Sequence, residues 1–414
     1  MSNSILVVGG GFSGITAALE AAEVGYEAFI VEKEPYLGGR VAQLNQYFPK
    51  LCPPSCGLEI QFQRIKKNPL VKVYTMAEVV QITGSPGEYE VTIKLRPRYV
   101  NNLCTGCDAC VQAASTEITC EFDFGLGKRK PIYRPNIFSF PMRYVLEKDR
   151  CTNEELNAIY ASCKYGAIDL NEEEKTFTIN VGSVVWATGW KPYDVTRLTN
   201  LGAGSMANCI SNMQMERLAA PNGPTQGKLV RPSDGATPKR VAFVQCAGSR
   251  DQNHLNFCSY ICCMASLKQA TYVRKRYPEA EVTIYYIDLR TPGRYDKFMR
   301  QVTNDPKIRL IKGKVAGVEE TPTGDVILEV EDAVLGVKKK IRHDLVVLAT
   351  GMQPSIADQK LPGGIQKDAD GFVVDSEDKG IFVAGCAKSP LDVMRSAQSA
   401  TSAALKAIQT VVGR

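Results

Sequence analysis

The hydrophobic pattern opens with a short apolar run, Ile5–Val8, followed by a glycine-rich turn. A helical stripe through Ile15–Ala22 comes next, then a second apolar run that ends at Glu32. Short continuous apolar runs bounded by turn residues suit strands buried on both faces of a parallel sheet, and 3.6-residue spacing suits an amphipathic helix. "SVVWATGW" (183–190) and "DLVVLATGMQP" (344–354) are each a buried strand ending in Ala-Thr-Gly, and "GIFVAGCAKSPLDVMRSAQSATSAALKAI" (380–408) predicts a strand, a glycine turn and a long helix. Between the two Ala-Thr-Gly runs a second α/β pattern covers 231–342. It has strands in "RVAFVQ", "EVTIYYIDL" and "VILEVED", and helices in "ASLKQATYVRKRYP" and "YDKFMRQVTND". The Pro/Gly-rich stretch 218–240 is its entry linker.

The first turn carries chemistry. Gly9, Gly11 and Gly14 match G-x-G-x-x-G around Phe12 and Ser13, and Glu32, followed by Lys33, stands where a carboxylate meets an adenosine ribose hydroxyl. Gly9 permits the tight turn, Gly11 lets backbone amides approach a pyrophosphate, and Gly14 lets the helix close on the strand with its positive end toward the phosphates. Alone, such glycines are more often simply a turn; strand, helix, second strand and acid together point to nucleotide binding. "YLGGR" (36–40), with Gly39 and Arg40, favours flavin adenine dinucleotide (FAD). The Ala-Thr-Gly turns add Ala187, Thr188, Gly189 and Gly351, and the last glycine turn adds Gly385 and Cys386. The helix after Gly385 is expected to aim its N-terminus at the flavin's pyrimidine end, where reduction builds negative charge. The expected fold class is α/β: a two-dinucleotide-binding, thioredoxin reductase-like flavoprotein with an inserted ferredoxin-like domain. Its expected parts are FAD-binding segments 1–96, 176–230 (with the linker) and 344–414, a degenerate ferredoxin-like insert 97–175, and a second nucleotide-like domain 231–343 carrying a cysteine cluster site.

Composition changes this picture in one respect. The 414 residues, 44% hydrophobic and 23% charged with a net charge of +6 spread along the chain, are ordinary for a globular protein and argue against a nucleic-acid partner. The start is already strand-like, and no apolar run reaches the roughly 20 residues of a spanning helix, so a cytoplasmic chain is expected. Fourteen cysteines against two histidines, however, point to iron–sulfur chemistry ahead of zinc or disulfides. "CTGCDAC" supplies Cys104, Cys107 and Cys110 in ferredoxin spacing, but Ala114 and Ser115 replace the usual fourth cysteine and proline. "CKYGAIDL" resembles the end of a second ferredoxin half, and its Cys163 completes one thiolate set, because the fourth cysteine of each half serves the other half's cluster. Of the partner cluster only Cys151 remains, so one cluster is kept and one lost; a zinc ribbon or inert thiols is the alternative. At the end of the strand that begins the second pattern, where phosphate-binding glycines are expected, "QCAGSRDQNHLNFCSYICCM" (245–264) instead places Cys246, Cys258, Cys262 and Cys263. These either hold a second [4Fe–4S] cluster or are core cysteines. Cys52 and Cys56 in "LCPPSCGL" are either a redox pair beside the flavin or two thiols around a Pro-Pro turn.

"PYLGGRVAQLNQYFP", "QCAGSRD…CSYICCM…ASLKQA", "YYIDLRT" and "GIFVAGCAKSPLDV" together resemble the A-type flavoprotein of heterodisulfide reductases. The short length and eroded insert are more similar to the A-type flavoproteins of quinone-interacting membrane-bound oxidoreductases of sulfate reducers. The resemblance implies FAD, two [4Fe–4S] clusters, and ligation of the second by Cys246, Cys258, Cys262 and Cys263. It implies that Cys386 packs or touches flavin rather than metal. It further implies a peripheral subunit on the cytoplasmic face of the inner membrane. Its partners would be a second flavoprotein of the same type, adenylylsulfate reductase and a quinone-reactive membrane subunit, with electrons linked to the menaquinone pool and no NAD(P)H used. Two readings stay open beside it: an NAD(P)H-dependent disulfide reductase using Cys52/Cys56, and a flavin-bearing scaffold.

Overall fold

A computed structural model describes residues 2–202 and 204–413. The chain divides into two compact units: one comprises 1–190, 354–389 and 393–414, the other 191–353 and 390–392.

The first unit is built on a five-stranded parallel sheet, ordered Ile381–Val383, Ser183–Trp186, Ser4–Val8, Glu27–Glu32, Val71–Thr75. Both faces are covered, so the strand Ser4–Val8 is buried throughout. Ile5 and Val7 face the helices Phe12–Glu23 and Val393–Val411, whose Ala17, Ala18, Ala21, Ala400, Ala403, Ala404 and Ala407 share one core with them. Leu6 and Val8 face the other way, into a core shared with Ile82, Tyr89, Val91 and Ile93. Those residues belong to a three-stranded antiparallel sheet, Ala77–Ser85, Glu88–Leu95 and Lys175–Val181, which closes that side.

Residues 97–175, part of the same unit, join the rest of it at a neck. Glu172 Oε2 accepts the backbone N–H groups of Arg98 and Tyr99, and Val100 bridges Ile168 antiparallel. The buried Arg98 guanidinium spends its donors on Pro35 O, Thr75 Oγ1 and Tyr144 O, so the neck is pinned to the sheet end with those donors satisfied. Beyond the neck lie helices Ala109–Ala113 and Asn153–Ser162, two two-stranded sheets, and a small core of Val100, Ile132, Tyr144, Leu156, Ile159 and Ile168. Thr152 caps the second helix by accepting from Glu155 N–H at 3.2 Å. Glu155 in turn binds Ser115 N–H, Thr116 N–H and Thr116 Oγ1, each at 2.7 Å. A carboxylate therefore anchors the segment where a ferredoxin's fourth cysteine and proline would fall.

The second unit holds a seven-stranded sheet in the order Cys209–Ser211, Leu345–Thr350, Arg240–Ala247, Glu281–Tyr286, Ile308–Glu320, Val326–Asp332, Val337–His343. The first five run parallel and the last three form an antiparallel meander. This differs from the expected boundaries, which gave 176–230 and 344–414 to the FAD-binding part. Leu345–Thr350 instead pairs between Cys209–Ser211 and Arg240–Ala247. The buried run reads the same in either sheet; only long-range pairing decides which one it joins. Helix Cys262–Arg276 is fixed against helix Asn212–Ala219 by a buried Lys268–Glu216 ion pair (3.1 Å) and by Gln269 and Tyr272, which also donate to Glu216.

Candidate cofactor and metal sites

The glycine turn has the geometry its spacing predicts. Gly9 sits at φ +106°, and a Cβ there would lie 2.4 Å from Ala187 O. A Cβ on Gly14 would lie 1.8 Å from Gly9 O, so only glycine lets the helix close on the strand. Gly11 is different: a Cβ there would meet nothing nearer than Gly39 Cα at 3.9 Å, which leaves an open cradle at the helix N-terminus. Glu32 stabilises the turn with both oxygens, accepting Gly10 N–H at 2.6 Å and Glu34 N–H at 2.8 Å. Burial pushes its carboxyl up to about 7 against those two hydrogen bonds.

Around the cradle, Gly38 N–H donates to Gly10 O and Gly39 abuts Gly11, so the Tyr36–Arg40 turn lies along the phosphate turn. Arg40 is held by Trp190 O (3.1 Å) and Gln43 Oε1 (2.9 Å). Gly385, at φ +63°, packs on Ser13, and the Cys386 sulfur lies 3.7 Å from Ser396 Oγ. The Thr188 hydroxyl, next to Ala187 and Gly189, is buried without a hydrogen-bond partner. An open glycine cradle beside an unpaired buried hydroxyl fits a dinucleotide. Phe12 packs into the helix-side core, while Lys33 is exposed and Arg96 donates to its carbonyl. Gly351 is placed elsewhere: it lies in the second unit, where a Cβ would strike Ser249 Oγ at 2.5 Å and Ser259 Oγ at 3.0 Å.

Cys104, Cys107, Cys110 and Cys163 line one cavity of the insert, of about 340 Å³ including its open mouth, with Val100, Ile132 and Ile168. Cys107 is exposed, Cys104 and Cys163 half-buried and Cys110 buried. Burial, with Cys104 and Cys107 alongside, pushes the Cys110 thiol up to about 11. Two left-handed residues, Gly106 (φ +73°) and Asp108 (φ +64°), turn the chain between the cysteines, and Ala167 N–H donates to the Cys163 sulfur at 3.3 Å. Cys151 stays outside this lining, its thiol donating to Glu147 O at 3.8 Å.

The second set gathers where the strand Arg240–Ala247 ends. Cys246 adopts a left-handed φ of +58°, and Tyr260 at +64° turns the chain into the helix whose first two residues are Cys262 and Cys263. The loop between is closed by a 2.6 Å Ser249–Ser259 hydroxyl pair, and Ser259 also accepts Met352 N–H at 2.8 Å. The thiols act on one another. Burial and then Cys263 and Cys258 push Cys246 up to about 11, while burial, Cys246, Cys263 and Cys258 push Cys262 far above its usual range. Among the described residues no three His, Cys, Asp or Glu side chains already stand at metal-ligating separation. The sulfurs are turned to local partners, Cys262 to Thr350 O and Cys263 to Asp288 O. Four sulfurs with no histidine among them make a set of soft donors.

Cys52 and Cys56 face each other across the start of the helix Pro54–Lys67, the Cys52 thiol hydrogen-bonded to Cys56. Burial and that hydrogen bond raise Cys52, opposed by Lys50. Cys56 is exposed.

Comparison with known proteins agrees with this geometry. Residues 4–52 match the family of FAD dependent oxidoreductases. The chain is 38% identical, over 98% of its length, to the second A-type iron-sulfur subunit of CoB–CoM heterodisulfide reductase from Methanopyrus kandleri. It is 35% identical, again over 98%, to the A-type subunit of the H2:CoB-CoM heterodisulfide,ferredoxin reductase of Methanothermobacter thermautotrophicus. Over nearly its whole length the chain is thus similar to the A-type subunits of heterodisulfide reductases. It spans 64% of the length of each of these relatives. In fold, the chain is similar to T. acidophilum thioredoxin reductase (TM-score 0.53, 15% identity, covering 99% of this chain and 97% of that one). It is also similar to LpdA from Mycobacterium tuberculosis (TM-score 0.51, 13% identity, 99% and 73%). The two-dinucleotide-binding α/β architecture expected from the hydrophobic pattern is thus the observed one. Among the described residues no helix is long and apolar enough to cross a membrane.

Residue patterns alone missed Arg250, Asp288 and Arg290, which surround the second cysteine set. The only signal was "DLR" directly after a predicted strand, at the same sheet end as the cysteines.

Proposed function

We propose that this chain is an electron-transfer subunit of a larger oxidoreductase, holding FAD in the first unit and two [4Fe–4S] clusters. One cluster would be held by Cys104, Cys107, Cys110 and Cys163, the other by Cys246, Cys258, Cys262 and Cys263. The observation that carries the reading is the convergence of Cys246, Cys258, Cys262 and Cys263 at a strand end and helix start, in place of phosphate-binding glycines. The name of the Methanopyrus relative, an iron-sulfur subunit, supports it. FAD, when bound, supplies exchange between electron pairs and the single electrons that iron–sulfur clusters carry. The chain's own part is to orient these groups. Gly9, Gly11 and Gly14 present backbone amides, Glu32 fixes the turn, and the start of helix Cys262–Arg276 sets two cysteines next to each other at the strand end.

Through its resemblance to quinone-interacting membrane-bound oxidoreductases, the chain would work at the cytoplasmic face of a membrane. It would be bound to a second flavoprotein of its kind and a quinone-reactive membrane subunit, linking the menaquinone pool to adenylylsulfate reductase. The test is rapid mixing of the anaerobically purified protein with NADPH. The flavin absorbance is expected to persist, whereas fast bleaching by NADPH alone overturns the reading. That outcome would favour a second reading, a disulfide reductase, for which the facing Cys52 and Cys56 thiols speak.

A further inference from the structure

The segment Asp288–Arg290 leaves the strand Glu281–Tyr286 and lies against the second cysteine set. The Asp288 carbonyl accepts from the Cys263 sulfur at 3.5 Å, and Arg290 N–H points to the same sulfur. The Arg290 guanidinium is turned to Cys258 and that of Arg250 to Cys246. Both arginines are tied to a single oxygen, Asp288 Oδ2: Arg250 Nη1 at 2.8 Å, and Arg290 Nε at 3.0 Å and Nη2 at 2.9 Å. Arg250 takes a left-handed φ of +56°, and its N–H donates to Phe257 O at 3.0 Å, so its backbone is fixed within the cysteine loop. Exposed ion pairs of this kind do little for stability. Two guanidiniums against one carboxylate nonetheless leave a net positive charge facing the sulfurs of Cys246, Cys258 and Cys263.

We propose that Arg250 and Arg290, clamped by Asp288, set the reduction potential of the cluster held by Cys246, Cys258, Cys262 and Cys263, keeping it higher than the thiolates alone would. The inference rests on the ligand set proposed above. One-electron reduction adds a negative charge to the cluster without making or breaking a bond. Positive charge and hydrogen bonds at the sulfurs stabilise that product. Arg250 and Arg290 are positioning residues; they are not ligands.

The experiment is a dithionite potentiometric titration of the holoprotein, read by EPR, on wild type, Arg290→Gln, Arg250→Gln, Arg290→Lys and Asp288→Asn. Each Gln variant is expected to keep its iron and to weaken reduction of this cluster at least tenfold, 59 mV for one electron. Arg290→Lys is expected to recover most of the shift and Asp288→Asn to shift the other way. The signal of the cluster at Cys104, Cys107, Cys110 and Cys163 should stay in place. Unchanged potentials with full iron overturn the inference and leave the ligand set standing. Iron loss in both Arg290→Gln and Arg290→Lys also overturns it, because the arginine would then be building the site. If Cys262→Ser in the same holoprotein keeps all its iron, the ligand set itself is wrong.

Discussion

The two cysteine sites hold the same number of thiols in opposite settings. In the insert, a rim of left-handed turns places Cys107 in solvent and only Cys110 is buried, and its cavity is apolar at the back and open at the mouth. In the second unit, Cys262 and Cys263 are both buried at a helix start, and two guanidiniums face their neighbours Cys246 and Cys258. The insert site is built by local sequence, three cysteines within seven residues, and takes one more from the end of helix Asn153–Ser162. The second depends on a sheet that brings 246, 258, 262 and 288–290 together. Exposure suits exchange with a partner, whereas burial and positive charge suit a fixed potential inside the chain.

The largest test of the comparison is to remove one ligand from each site. Cys262→Ser and Cys110→Ser are each expected to lower bound iron by about four per flavin, the content of one cubane cluster. Metal analysis with EPR should show the other cluster intact; loss of both from either change would mean the sites are not independent.

A second difference concerns acid. His343, buried in the second unit with Nε2 2.9 Å from Tyr285 Oη, is lowered from 6.5 to about 4, by burial first and then by Arg240. The folded form therefore resists protonation that the unfolded chain accepts. Its contribution is fully present above pH 6.5 and is lost as pH falls toward 4, about 3 kcal/mol in all. Denaturant titrations between pH 7 and 4 should show this slope, and His343→Gln, which keeps an acceptor without the titration, should flatten it. An unchanged slope would remove His343 as the cause.

A smaller effect is expected at Gly11→Ala. Its Cβ has room in the protein, so the thermal midpoint should hold, while a bound pyrophosphate would be crowded. We expect FAD affinity to fall about tenfold, or ~1.4 kcal/mol, measured by flavin fluorescence. Undiminished affinity would place the phosphates elsewhere. Cys151→Ala should be the smallest change: the thiol lies outside the cavity lining, and iron content is expected to stay constant.

Much of this architecture was legible in the chain because it is written locally. Gly9, Gly11 and Gly14 between two apolar runs imply a strand–turn–helix, and the turn has that form. The strand Leu345–Thr350 shows the limit. As an all-buried run it carries no mark of its neighbours, and pairing rather than pattern placed it, with Gly351, in the second unit. The Arg250–Asp288–Arg290 group was illegible for a similar reason: charged residues after a strand usually mean a solvated loop, and here Asp288 and Arg290 converge on sulfurs 25 or more residues away in sequence. Cys151 and Ala114 could be assessed in advance because ferredoxin spacing is a local rule, with Glu155 supplying the replacement anchor that the rule does not foresee.

The central claim, two thiolate sites and one flavin in a single chain, is met most directly by iron and acid-labile sulfide per FAD in protein purified without oxygen. We predict about eight of each per flavin, from two [4Fe–4S] clusters; a value near four, or none, contradicts it.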